Sequence, residues 1–333
     1  VISEKDLFEQ LSYTIKDIEL SYANKASGGK ISSTKISGKV RDSYIIGDKR
    51  ILVASDRLSA FDRVLTTIPF KGELLTKLAL FWFEKTAHIV PNHIISNPHP
   101  NIVVSHQLEI IPIEVVVRGY LAGSAWRDYE RNHLISGYRL PRGLKKYEKL
   151  ETALVTPSTK ELPGVHDQPI SHDEIIKKGI VTKELWEEIC SYALDLFQFG
   201  TEEVAKRGLI LVDTKYEFGI LRAADGREQI YLADEIHTQD SSRYWLSDSY
   251  QQAMEEGVDP VMLDKEFVRR WLIERNFLGD GTPPEIPDSF RVETAQQYIR
   301  VYEQITGSTF KVTKDKTGSR LAEIEAVLEQ LLS

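Results

Sequence analysis

Cysteine is almost missing from this chain. Cys190 is the only one in 333 residues, so no internal disulfide can form. The eight histidines show no HExxH or comparable zinc spacing, which argues against a zinc enzyme. No apolar run approaches the roughly 20 residues of a membrane span, so no membrane partner is expected. Basic charge is in deficit, with 42 Lys and Arg against 50 Asp and Glu, a net charge of −8. A broad nucleic-acid surface is therefore not expected, and cationic groups should matter only in local phosphate pockets. The opening residues, VISEKDLFEQ, lack a signal-peptide pattern, and with the lone thiol they point to a reducing cytoplasm. Cys190 itself sits among Leu185, Ile189, Ala193 and Leu196 at helical spacing, the pattern of a core residue rather than a nucleophile.

The length and the 41% hydrophobic content are enough for two core-bearing lobes. The most informative stretch runs from Leu209 to Trp245, LILVDTKYEFGILRAADGREQIYLADEIHTQDSSRYW. Asp213, Lys215 and Glu217 alternate, so a strand puts them on one face and Val212, Thr214, Tyr216 and Phe218 on the other. Asp225-Gly226 is a two-residue hairpin signal, and QIYLADEI is the return strand. A two-residue loop makes Glu217 face Asp234 directly. Two opposed carboxylates call for a cation, and Mg²⁺ shared with substrate phosphates suits them, with Lys215 free to serve a phosphate. A solvated hairpin face with scattered charges is the alternative.

The rest of the chain supplies candidate companions. Residues 3–20 read as an amphipathic helix through Leu7, Leu11 and Ile15, followed by a polar Ser/Lys-rich loop, SYANKASGGKISSTKIS. GKVRDSYIIGDKRILVA reads as two strands joined at Gly47-Asp48, with Gly38, Lys39 and Arg41 at the edge where a nucleotide phosphate can lie. SDRLSAFD then gathers Ser55, Asp56, Ser59 and Asp62. KGELLTKLALFWFEKTAHI has helical spacing, with Leu74, Leu78, Phe81 and Trp82 inward. In EVVVRGYLAGSAW, Ser124 stands as an N-cap beside Arg118, which either forms an anion site or pairs with Glu114. Residues 138–172 read as a long functional loop carrying Thr156, Ser158, Lys160, His166 and Asp167. A helix over 182–207 ends at Gly208, and the chain after Trp245 is helical, with Arg269 and Arg270 in DKEFVRRWLIERN.

GKVRDSY, SDRLSAFD, IPIEVVVRGYLAGSAW, TPSTKELPGVHD, LILVDTKYEFG and LADEIHTQDSSRYW occur in the order seen in the SAICAR synthetase family. The chain resembles that family over roughly 36–275, and its C-terminal helices are similar to those of longer members. The resemblance implies a two-lobed α+β fold. Its antiparallel N-terminal lobe, 1–111, covers ATP with a kinase-like glycine strand. Its larger α/β lobe, 112–333, is related to ATP-grasp architecture, carries catalysis and includes the C-terminal helices. The implied reaction is an ATP-dependent ligation of L-aspartate to the carboxylate of carboxyaminoimidazole ribonucleotide, CAIR, through an acyl phosphate, by a monomer or homodimer. By the same resemblance, Glu217 and Asp234 hold Mg²⁺–ATP, with Gly38, Lys39, Val40, Arg41 and Lys215 near its phosphates. Arg118, Ser124, Arg243 and Arg269 bind the ribonucleotide and its phosphate. Asp56, Asp62 and Asp213 are the carboxylates around its base and any second metal, Ser59 is a further substrate-binding residue, and Lys160, His166 and Asp167 belong to the ATP or aspartate side. Lys215, Asp213 and Arg243 are the implied catalytic set. A small-molecule kinase on the same scaffold and a non-catalytic purine-nucleotide sensor are the alternatives.

Overall fold

The computed structural model describes residues 2–18, 34–160, 168–223, 225–312, 314–315 and 317–333. The fold is α+β, and the strand pairings within its sheets are antiparallel. Contacts divide the chain into two units. One comprises Val1–Phe81, His93–Gln107 and Lys265–Ser333, and the other Trp82–Asn92 and Leu108–Asp264. Residues 265–333 thus join the N-terminal unit, where a split at 111/112 puts them in the other. Burial is the reason. Helices Glu266–Ile273 and Asp288–Thr306 share a core with Leu58, Ile68, Phe70 and Leu74 through Val268, Leu272, Phe290 and Tyr298. Helix Ser319–Leu332 lays Ile324, Leu328 and Leu332 on Tyr44, Ile51, Val53 and Ile102.

The first unit holds β1 (Thr34–Ser37), β2 (Arg41–Ile46), β3 (Lys49–Ala54), β4 (Arg57–Ala60), β5 (Arg63–Thr67), β6 (Ile94–His99) and β7 (Ile102–His106). Five of them form a sheet in the order β1-β2-β3-β7-β6, and β4 and β5 form a separate hairpin. Gly47, at φ +55°, makes the β2–β3 turn that Gly47-Asp48 predicts. β1 lies within the segment expected to be loop, because it finds a partner in β2, with Ser37 opposite Asp42. Residues 21–33 of that segment, like 19 and 20 before it, lie outside the described residues. The first helix is shorter than the pattern over 3–20. Ser3 and Asp6 cap Glu4–Gln10 in a capping box. Beyond it Ile15 trades helix for bonds to Asp56: its N–H donates to Asp56 Oδ2 at 2.9 Å, and its carbonyl accepts from the Asp56 N–H at 2.7 Å.

The second unit is built on one 14-residue strand. Its strands are β8 (Glu109–Ile110), β9 (Ile113–Tyr120), β10 (Leu134–Ile135), β11 (Tyr138–Arg139), β12 (Lys149–Val155), β13 (Ser158–Thr159), β14 (Leu209–Arg222), β15 (Glu228–Ala233) and β16 (Ser242–Leu246). β14 pairs with β9 and β8 on one flank and with β16 and β15 on the other. β12 and β13 extend the sheet beyond β9, inside the stretch expected to be loop. Helix Lys183–Ala205, capped by Thr182, buries Trp186, Ile189, Ala193, Leu196 and Phe197 and packs on β14, β9 and β12. The other face of the sheet carries the polar alternation. Among the described residues no helix is long and apolar enough to cross a membrane.

Candidate active site on the polar face of β14

The site begins with the strand's alternation. Asp213, Lys215 and Glu217 share one face of β14, while Tyr216 and Phe218 are fully buried on the other. The hairpin register differs by one residue from the sequence expectation: Glu217 faces Ala233, not Asp234. Ala223 and Arg227 bond to each other, so three residues separate them where two were expected. Asp234 has left the strand at φ +64°. Its carboxylate still returns to the neighbourhood, since Asp234 Oδ2 lies 3.9 Å from Lys215 Nζ.

Lys215 is the centre of this end. Its Nζ lies 2.5 Å from Glu217 Oε1 and 3.3 Å from Glu114 Oε1. Glu217 also receives a charged hydrogen bond from Lys160. Burial works against the ammonium of Lys215, but Glu217, Glu114 and Asp234 outweigh it and hold it well above the ordinary lysine range. Burial likewise opposes the Glu217 carboxylate. The pull of Lys215 and Lys160 overcomes both that and the repulsion of Asp234, so its carboxyl stays below the usual range. Among the described residues no group of three or more His, Cys, Asp and Glu side chains forms a metal cage. Two carboxylates closing on one lysine do suit a cation that takes its other ligands from phosphate and water.

Two residues back along β14, roughly 7 Å by strand geometry, the charges invert. Asp213 pairs with Arg118 on β9 and with Arg243 on β16, one on each flank. Arg243 Nη1 lies 2.5 Å and Arg118 Nη1 3.2 Å from the same Asp213 Oδ2. Arg118 also donates from Nε to Thr156 Oγ1 at 2.8 Å and from Nη2 to Ser124 Oγ at 3.1 Å. The Arg118–Glu114 pairing is therefore not made, and Glu114 serves Lys215. Burial draws the guanidinium of Arg118 downward and Asp213 opposes it. Ser124 is not the N-cap. Ala122 occupies that position with no side-chain cap bond, and Ser124 lies in the first turn of helix Gly123–Asn132. Gly123, at φ +57°, explains the placement of Arg243, because a Cβ there would stand 2.4 Å from Arg243 Nη2. Two guanidiniums beside an uncapped helix start have the chemistry that suits an anion.

The remaining candidates separate. Gly38, Lys39 and Val40 form the β1–β2 loop closed by Arg41, and Lys39 pairs with Asp62. Asp56 has no exposed surface, and its carboxylate is engaged by the N–H groups of Ile15 and Gly72 and by Arg320. It is thus a structural anchor rather than the open substrate carboxylate expected. Ser59 is buried in β4 opposite Val64. Arg269, in the first unit, donates to Glu266. His166 and Asp167 lie outside the described residues. Glu114 at Lys215 and Thr156 at Arg118 are site contacts that the sequence pattern does not assign. The available signal was Glu114's place four residues before Arg118 on the same strand face.

The SAICAR synthetase family model matches residues 34–283. A putative phosphoribosylaminoimidazole-succinocarboxamide synthase 2 from Agrobacterium fabrum is 47% identical over 300 residues, covering 88% of this chain and 93% of its own. The phosphoribosylaminoimidazole-succinocarboxamide synthase of Legionella pneumophila strain Lens is 48% identical over 282 residues, covering 83% of this chain and 88% of its own. Among solved structures, the SAICAR synthase of Saccharomyces cerevisiae in complex with SAICAR superposes with a TM-score of 0.76 at 30% identity, covering 90% of this chain and all of that one. A type-2 SAICAR synthetase in complex with ADP gives 0.63 at 26% identity, over 84% of this chain and 100% of its own. By sequence and by fold, this chain belongs to the SAICAR synthetase family.

Proposed function

We propose that the polar face of β14 carries out the ligation this family performs: ATP-dependent joining of L-aspartate to the carboxylate of CAIR, giving SAICAR, ADP and phosphate. The observation that carries the assignment of the site is the inversion of charge along one strand. A lysine held by three carboxylates lies two residues from a carboxylate held by two arginines. The first end suits a metal nucleotide, and the second a phosphorylated substrate.

A carboxylate is a poor acyl donor because its leaving group would be oxide. Transfer of the γ-phosphoryl of ATP to a CAIR carboxylate oxygen makes an acyl phosphate and releases ADP. The aspartate amine then attacks the acyl carbon, the C–O bond to phosphate breaks, and loss of the amine proton leaves the amide. Arg118, Arg243 and Ser124 hold the ribonucleotide phosphate, which fixes the distance of its carboxylate from Lys215. Lys215 offers positive charge to the phosphoryl oxygens, and Glu114, Glu217 and Asp234 keep it protonated while it does so. Mg²⁺, held by Glu217 and Asp234, would supply charge neutralisation of the ATP phosphates. Lys160 orders Glu217 from the β13 side. In the first unit the loop Gly38, Lys39, Val40, Arg41 binds phosphate oxygens of ATP. The single cysteine and the small-molecule substrates support a cytoplasmic setting.

The test is substrate dependence. With purified protein, phosphate release and a product of the mass of SAICAR should require ATP, CAIR and aspartate together. ATP turnover at the same rate without aspartate, or a phosphorylated product without free phosphate, contradicts the assignment.

A further inference from the structure

The SDRLSAFD motif was expected to touch substrate, yet its most connected side chain points elsewhere. Arg57 is buried, and its guanidinium reaches three segments of the first unit. Nε donates to the carbonyl of Lys39 at 3.2 Å, Nη2 to the carbonyl of Gly38 at 3.1 Å and to Asp42 Oδ1 at 2.6 Å, and Nη1 to the carbonyl of Lys16 at 2.6 Å. Ser55 completes the pattern. Its N–H and its Oγ both donate to the carbonyl of Val40, at 3.0 and 2.8 Å.

All three carbonyls of the β1–β2 loop, at Gly38, Lys39 and Val40, are therefore drawn toward one tripeptide. In a trans peptide the carbonyl and the following N–H point in opposite directions. Capturing the carbonyls of residues 38, 39 and 40 thus turns the N–H groups of 39, 40 and 41 away from Arg57. Among the described residues, the N–H groups of Lys39 and Val40 have no hydrogen-bond acceptor. Consecutive outward amides beside a lysine form a concave donor surface of the kind that takes phosphate oxygens. Gly38 is required for the closure, because a Cβ there would stand 2.6 Å from the Arg41 carbonyl with which the Gly38 N–H is bonded.

We infer that Arg57, assisted by Ser55, is a positioning residue for ATP: it captures the loop's carbonyls and so presents the loop's amides to the phosphates. The inference rests on the reading that this loop binds ATP phosphate. Arg57 touches no substrate in this scheme. A guanidinium is suited to the task because its fork donates in several directions at once, and a lysine at the same place keeps the charge for Asp42 while losing that geometry.

Two measurements separate the inference from the reading beneath it. Residue-resolved hydrogen exchange of the wild-type protein, with and without ATP, should show the Lys39 and Val40 amides slowed by ATP. No change there overturns both the loop reading and the inference. In steady-state kinetics, Arg57→Lys should raise the KM for ATP about tenfold or more, the loss of charged hydrogen bonds. The KM values for CAIR and aspartate should stay at wild-type values and kcat should change little. A folded Arg57→Lys protein with wild-type KM for ATP, in a chain whose loop amides ATP does protect, overturns the role of Arg57 alone. If Arg57→Lys fails to fold, Ser55→Ala decides. It leaves the Arg57–Asp42 pair intact and should raise the KM for ATP selectively, and an unchanged value overturns the inference.

Discussion

Lys215 and Glu217 lie two residues apart on one face of β14, with Nζ 2.5 Å from Oε1. The same face places Asp213 two residues the other way, between Arg118 and Arg243. One strand therefore spaces a cation-centred cluster from an anion-centred one, and the strand repeat sets the distance between them.

The two guanidiniums depend on Asp213 for compensation. Asp213→Asn removes the carboxylate that Arg118 and Arg243 both contact. It should cost on the order of 3 kcal/mol, as expected for breaking a buried ion pair. Inorganic phosphate should recover more of the loss than it adds to the wild type, because a bound anion replaces the missing charge. Thermal unfolding with and without phosphate measures this, and equal phosphate shifts in the two proteins count against an anion site here.

Gly123 leaves room for Arg243. Gly123→Ala introduces a Cβ where the guanidinium now lies, at a positive φ that costs about 1–2 kcal/mol for a residue with a side chain. Displacing Arg243 by about 1 Å should raise the KM for CAIR at least about tenfold while leaving that for ATP unchanged. Parallel initial-rate titrations test the split, and a rise in the KM for ATP alone contradicts it.

His237 carries a pH signature. It is fully buried, bonds to Tyr216 Oη at 2.6 Å through Nε2, and burial pushes its imidazole down to about 3. The unfolded imidazole titrates near 6.5. Between those values the unfolded chain binds a proton that the native protein refuses. Its stabilising contribution is complete above 6.5 and is lost as the pH falls, at up to about 1.4 kcal/mol per pH unit. Urea unfolding at pH 7, 6 and 5 should therefore show a steeper decline for the wild type than for His237→Gln. Parallel declines contradict the burial argument, whatever the offset between the two proteins.

Asp56 and Arg320 are 264 residues apart in sequence and directly paired in the first unit. Arg320→Met should lower stability by about 3–5 kcal/mol, because it strands a buried carboxylate. Asp56→Asn in the same background should restore part of that loss, a coupling that a double-mutant cycle reads directly. If Arg320→Met unfolds like the wild type, Asp56 is not the anchor described.

What could be read from the chain itself follows from range. The β14–β15 hairpin was legible because alternation and Asp225-Gly226 are local signals. Its register lies one residue from the expected one because Ala223 is the residue that bonds to Arg227. Arg118 and Asp213 were both picked out, but nothing local says that β9 and β16 flank β14 so that one carboxylate meets two guanidiniums. The strand Lys149–Val155 was missed because prolines surround it and its partner is β9. Asp56 was misread because its partner lies at the far end of the chain, beyond the residues the family model matches.

The central claim is that β14 carries two separable ends. Calorimetric titration of ATP with Mg²⁺ and of CAIR into folded Glu217→Gln and Arg243→Lys tests it most directly. The account predicts that Glu217→Gln weakens ATP binding and spares CAIR, while Arg243→Lys weakens CAIR binding and spares ATP. If both variants weaken the same ligand, or neither weakens any, the assignment of the two ends is contradicted.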